Sequence, residues 1–348
     1  MIKTVNIAGL KSISKLSLNC KNLNIIAGAN SSGKSTVLQA ILLAAQNGYG
    51  NVGFNGNYIT LGEFKDAKNF NISERKISIA FDISSGYMVN LEFDEDGISR
   101  NDLFDLTSFG IASPKLPVIR YLSCNRIGAE DIYRKKFSDD KNVGINGEYA
   151  IYCLDKYKSE NVADEIVREP KSYTLFSQVN YWLNYILETS ITTEDVVGTD
   201  FVKCFYTTPE GKQIRPKNTG AGLSYLISVL VLCLLSDKND IIVIENPEIH
   251  LHPKAQSKVC EFLYFIAKSG RQLFVETHSD HIFNGVRAGI ATQKMQAEKI
   301  AVNFFSIDST TKCTQNTVIE FGKRGRILTY VEGLFDQFDI DLNRMLDI

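Results

Sequence analysis

Apolar residues in this chain come in short runs, and the spacing within each run predicts its element. Residues 2–8 and 12–18 alternate or cluster apolar side chains around Gly9-Leu10-Lys11, which predicts a β-hairpin. Residues 23–27 are a short buried strand. After them Val37, Leu38, Ile41, Leu42 and Ala45 recur at helical spacing from Lys34 to Gln46. Residues 47–57 are rich in Gly and Asn and predict a loop. Residues 76–83 and 87–93 alternate as two antiparallel strands joined at Ser84-Ser85-Gly86, and 116–122 is a further strand.

From about residue 126 to 199 polar and charged residues dominate, and Tyr181, Trp182, Tyr185 and Ile186 suggest one helix there, so the segment reads as an insertion. Residues 201–208 return to strand. A helix from about 221, a strand at 241–245, a helix at 254–268 and strands at 272–276 and 301–306 follow. Strand-helix alternation of this kind implies an α/β fold with a mainly parallel sheet and an antiparallel flank. The expected organisation is a first lobe at 1–125, a mainly helical insertion at 126–199, a second lobe at 200–320 and a tail at 321–348.

Composition narrows the class. The 348 residues are 44% hydrophobic and 22% charged, with a net charge of −2, so any nucleic-acid contact must come from a local patch. Seven cysteines, an odd number without a CxxC, suit reduced thiols and a cytoplasmic protein. No secretory signal is expected, and the longest apolar run, 225–235, is too short for a membrane span.

The chemistry concentrates in two places. Gly28-Ala29-Asn30-Ser31-Ser32-Gly33-Lys34-Ser35, followed by Thr36, fits G-x-x-x-x-G-K-[ST] between a strand and a helix. Small residues let the backbone curl until several N–H groups converge on a phosphate, and the helix adds its positive N-terminal end. In that reading ATP is the ligand, Lys34 reaches its β- and γ-phosphates, and Ser35 ligates Mg²⁺. The second place is the apolar strand Ile241-Ile242-Val243-Ile244, ending in Glu245-Asn246-Pro247-Glu248. Glu245 is placed to face Mg²⁺ from the end of a neighbouring strand. All four histidines, His250, His252, His278 and His281, follow this strand or the next. Their H-x-H and H-x-x-H spacings also suit a metal cluster, but no further Cys/His pair supports one. A γ-phosphate sensor at His278 explains them equally well.

These motifs, in this order, resemble the ABC-type ATPase heads of the SMC, RecF and OLD (overcoming lysogenization defect) group. The resemblance rests on "GANSSGKST", "IIVIENPEIHLHP", "ETHSDHI" and the opening "NIAGLKSISKLSL", over about 1–65 and 215–290, and more weakly on "GLFDQF". It implies a P-loop NTPase fold of the ABC-head type and a signature loop that reads the nucleotide of a second subunit. "NTGAGLSYLISVL" occupies that place, with Thr219, Gly220 and Gly222 as the contact residues. It also implies a homodimer that sandwiches ATP. Relatives carry Asp then Glu before the proline, whereas here Glu245 and Asn246 stand there. An amide cannot accept a proton from water, so either Glu248 supplies the base or hydrolysis is slow.

No long heptad run provides an SMC-type arm, and no acidic cluster after residue 290 resembles a Toprim nuclease. The resemblance therefore implies an ATP-driven switch that controls a separate effector, a nuclease or similar, in bacterial anti-phage defence. The alternative is a DNA-repair or DNA-remodelling ATPase that binds DNA directly through Arg134-Lys135-Lys136 or Lys323-Arg324-Arg326. A transporter ATPase shares the head, but nothing in the chain points to a membrane partner.

Overall fold

The structure, a computed structural model, describes residues 1–48, 52–83, 88–100, 117–329, 331–335 and 337–346. The turn expected at 84–86, part of the 47–57 loop, Tyr87 and Leu116 of two expected strands, and Asp336 of "GLFDQF" lie outside them.

The first elements in the chain are β1 (Ile2–Leu10), β2 (Ile13–Asn19), β3 (Leu23–Gly28), α1 (Lys34–Gln46), α2 (Phe64–Ala67), β4 (Ile77–Ile83), β5 (Met88–Asp94) and β6 (Gly97–Arg100). Next come β7 (Ile119–Leu122), β8 (Tyr133–Arg134), α3 (Ala150–Lys156), α4 (Leu175–Leu187), β9 (Ser190–Asp195), β10 (Phe201–Thr207), β11 (Gln213–Ile214) and α5 (Gly222–Leu234). The last are β12 (Ile241–Glu245), α6 (Pro253–Lys268), β13 (Gln272–Glu276), α7 (Asp280–Ala291), β14 (Ile300–Ile307), β15 (Thr314–Val318) and α8 (Gln337–Met345). Two compact units result, Met1–Pro117 with Arg287–Ile348, and Val118–Val286.

In the first unit an antiparallel sheet runs β2-β1-β4-β5-β6. Every second residue of β4, from Ile77 to Ile83, is buried, so one face packs and the other meets solvent. β3 is different, with five consecutive buried residues from Leu23 to Ala27. That run suits a strand covered on both faces, and β3 pairs in parallel with β14, Gly28 opposite Phe305. β15 then pairs antiparallel with β14. α1 buries ten of its thirteen residues.

In the second unit β12 lies between β13 and β7, parallel to both, with Glu245 level with Glu276 and Val243 level with Tyr121. α5 is apolar all round, and every residue from Leu226 to Leu234 is buried, as the long apolar run predicts. α4 sets Trp182 against Phe262 and Phe265 of α6, with ring centroids 4.9 and 5.2 Å apart. The helix expected around Tyr181 to Ile186 is therefore part of this unit's core. A smaller antiparallel sheet runs β11-β10-β8, with β9 also on β10.

Two expectations need adjusting. The strand expected at 116–122 begins at Ile119 among the described residues; Pro117, two residues earlier, has no N–H for a ladder. β9 does not stand out in the sequence because only Ile191 of its six residues is buried, leaving no alternation to read. Among the described residues no helix is long and apolar enough to cross a membrane.

Candidate functional site

The first cluster is the β3–α1 turn. Its backbone is tight for stated reasons. Gly28 has φ +143° and Gly33 φ +98°, and a side chain at Gly28 would run into the Phe305 backbone of the paired strand. A side chain at Gly33 would meet the Thr314 hydroxyl, which bonds Ser12 Oγ at 2.8 Å and the Ser32 carbonyl at 3.0 Å. The two glycines are thus required by the curl itself, which is the shape a phosphate cradle needs. Ser31 also lies at positive φ, +59°.

Within the turn Asn30, Ser31 and Ser35 are exposed, while Ser32, Lys34 and Thr36 are buried. The Lys34 ammonium donates to the carbonyls of Gly28 at 3.0 Å and Ala29 at 2.6 Å, so the charge is held over the loop rather than in solvent. Ser32 Oγ is buried and finds no hydrogen-bond partner among the described residues. All eight sequence-predicted residues thus lie on one stretch from the end of β3 to the first turn of α1, and their types fit a triphosphate.

The second cluster lies in the Val118–Val286 unit, at the ends of β12 and β13. Tyr121 donates its hydroxyl to Glu245 Oε1 at 2.9 Å, and the Cys124 N–H donates to Glu245 Oε2 at 3.0 Å. The carboxylate is therefore oriented by β7 and the turn after it. Burial and the nearby Glu245 charge push the Tyr121 hydroxyl far above its ordinary pKa, so it stays a donor. Asn246 sits at φ +44°, its N–H on the Glu276 carbonyl at 2.8 Å. Glu248 Oε1 accepts from the Thr277 hydroxyl at 2.7 Å and from the His278 N–H at 2.9 Å. Its Oε2 and Asn246 Oδ1 are buried without a hydrogen-bond partner among the described residues. Burial raises the Glu248 pKa, opposed by those two donors and by the Arg126 charge. His278 thus meets Glu248 through its backbone, while Glu245 is held separately.

The other histidines have local partners. His250 stacks on Tyr225 with centroids 5.3 Å apart, His252 caps α6 by accepting from the Lys254 N–H at 3.4 Å, and His281 lies 3.4 Å from Asp280.

Thr219, Gly220 and Gly222 gather at the start of α5. A Cβ at Gly222 would lie 2.5 Å from the His250 carbonyl oxygen, so the helix approaches the 250–251 backbone as closely as glycine allows. A Cβ at Gly220 would meet no atom within 4 Å among the described residues. Gly222→Ala is therefore expected to destabilise the fold by about 1–3 kcal/mol, the usual range for overpacking, while Gly220→Ala is neutral. Urea unfolding of both variants measures the difference.

Tyr121, Cys124, Arg126 and Thr314 carry no motif, and sequence reasoning missed them; Thr277 stands inside "ETHSDHI" but was given no role. The weak signal is that "YLSCNR" spans the end of a short strand, β7, and the turn after it.

A family described as an AAA domain matches residues 4–180, and one described as an AAA ATPase domain matches 164–283. A family of unknown function, DUF3696, matches 295–345. No curated protein matches the sequence significantly. Among solved structures, an Smc head bound to the C-terminal winged-helix domain of ScpA aligns at TM-score 0.60 and 14% identity, over 92% of this chain and 97% of that one. The Smc head with an extended coiled coil bound to the C-terminal domain of ScpA, from Pyrococcus furiosus, aligns at 0.55 and 13%, over 100% and 99%. At these identities the likeness establishes the fold, that of an ABC-type SMC head. The AAA-domain match spans just over half of the chain, so the protein belongs to the AAA domain family and is a nucleotide-binding ATPase.

Proposed function

We propose that this chain is an ATP-driven dimeric switch of the SMC/RecF/OLD type, in which two heads sandwich ATP and Mg²⁺. The observation that carries this is the start of α5. Thr219 and Gly220 stand at a helix N-terminus, Gly220 is exposed, and no atom of its own chain within the described residues fills the space beside it. A helix N-terminus lined by small residues favours an anion, here the γ-phosphate held by the other protomer.

In each protomer the 28–36 loop holds the triphosphate, with Lys34 leaving the Gly28 and Ala29 carbonyls for the phosphates. Ser35 and Glu245 would be the residues that hold Mg²⁺. When bound, Mg²⁺ neutralises charge on the β- and γ-phosphates. Glu248 takes the proton from the attacking water, and His278 senses the γ-phosphate.

The switch acts on a separate effector, a nuclease or similar, in bacterial anti-phage defence. The solved heads above are bound to parts of ScpA, which supports a protein partner docked on this fold. Seven free cysteines suit a cytoplasmic setting. The alternative reading, direct DNA binding, would use Arg134-Lys135-Lys136 or Lys323-Arg324-Arg326; in the first run Lys135 pairs with Asp195 and Lys136 with Asp140.

Light scattering with a non-hydrolysable ATP analogue and Mg²⁺ tests the proposal. The wild-type protein is expected to associate, and Gly220→Arg to bind nucleotide yet remain monomeric. A Gly220→Arg variant that associates like the wild type removes residues 219–222 from the interface.

A further inference from the structure

Arg126 lies on the turn after β7 and is 5% exposed. Its guanidinium donates to the Asn246 carbonyl at 2.9 Å and, through its other terminal nitrogen, to the Glu245 carbonyl. Those two carbonyls flank Asn246, whose left-handed backbone is a conformation that non-glycine residues seldom adopt. One planar group therefore grips both peptides of the kink that turns the chain from Glu245 toward Glu248. Of the acids around it, Glu248 interacts with it most strongly and Glu245 less so. Its Nε is buried and makes no hydrogen bond among the described residues.

We infer that Arg126 is a positioning residue for ATP hydrolysis, fixing the Glu245–Asn246 turn and through it the direction from which Glu248 presents its carboxylate. This rests on the proposed roles of Glu245 and Glu248. Only an arginine fork spans two carbonyls in a fixed plane, whereas a lysine ammonium is a point donor. Arg126→Lys should therefore recover the function only in part.

The experiment measures ATP affinity by calorimetry, steady-state kcat and KM, and thermal unfolding, for wild type, Arg126→Ala and Arg126→Lys. Arg126→Ala is expected to keep its ATP affinity and KM while kcat falls about 10- to 100-fold, the pattern of a contact that matters in the transition state. Arg126→Lys should fall between the two, and added guanidinium should restore part of the rate of Arg126→Ala. A folded Arg126→Ala protein with wild-type kcat overturns the inference, as does a loss confined to KM. If Arg126→Ala does not fold, a folded Arg126→Lys with lowered kcat at unchanged KM upholds it and one with wild-type kcat overturns it. Failure of both variants to fold makes Arg126 a structural ion and also overturns it. Wild-type protein that binds no ATP removes instead the reading on which the inference rests.

Discussion

Glu248→Gln should lower ATP turnover by about 10²–10⁴-fold, the usual contribution of a general base, with nucleotide binding retained. The resemblance to SMC-type heads implies a glutamate where Asn246 stands, and the buried side-chain oxygen of this asparagine cannot serve as a base. Glu248 is two positions on and held by the Thr277 hydroxyl and the His278 N–H, with its second oxygen free of hydrogen bonds among the described residues. Burial lifts its pKa toward the working range of a base. Because the ionised form is the base, activity should fall on acidification, with a midpoint above the ordinary glutamate range; the opposing charge of Arg126 limits that rise. A steady-state phosphate-release assay across pH, with calorimetric ATP titration alongside, checks both. If Glu248→Gln leaves the rate unchanged while Asn246→Glu raises it, the base is simply missing and the wild-type enzyme is slow.

Lys34→Ala should cut ATP affinity by one to two orders of magnitude, judged from about 1.5–3 kcal/mol for hydrogen bonds to charged groups. In the structure its ammonium already rests on the Gly28 and Ala29 carbonyls at 3.0 and 2.6 Å, inside the loop that would receive the phosphates. The variant should fold, because the curl is set by Gly28, Gly33 and the Thr314 contacts rather than by the lysine. Calorimetric titration of ATP is the measurement. Affinity equal to wild type would take the triphosphate away from this loop.

Much of the fold was legible along the chain. Local periodicity placed β3, α1, β12 and β13 within a residue or two, because a strand buried on both faces and a helix with an apolar stripe leave marks spaced by the element's own geometry. The G-x-x-x-x-G-K-S run was equally readable, since a phosphate loop is built from consecutive residues. β9 was not legible, because a strand with one buried residue in six carries no pattern.

What surrounds Glu245 belongs to the tertiary structure. Cys124 and Tyr121 reach its carboxylate from 121 and 124 positions earlier, and Arg126 reaches the Asn246 carbonyl across 120. No spacing rule covers such distances, and these residues come together only because β7 lies parallel beside β12. The same holds for Glu248. Its sequence position suggested a base, while its burial and its two donors from the end of β13 were set by sheet pairing and by the left-handed turn at Asn246. The sequence by itself thus determined the elements with a clear periodicity and the G-x-x-x-x-G-K-S loop, both written in neighbouring residues. Which carboxylate is buried, which is clamped and what clamps it were decided by strands far apart in the chain, because hydrogen bonds and burial depend on distance in space.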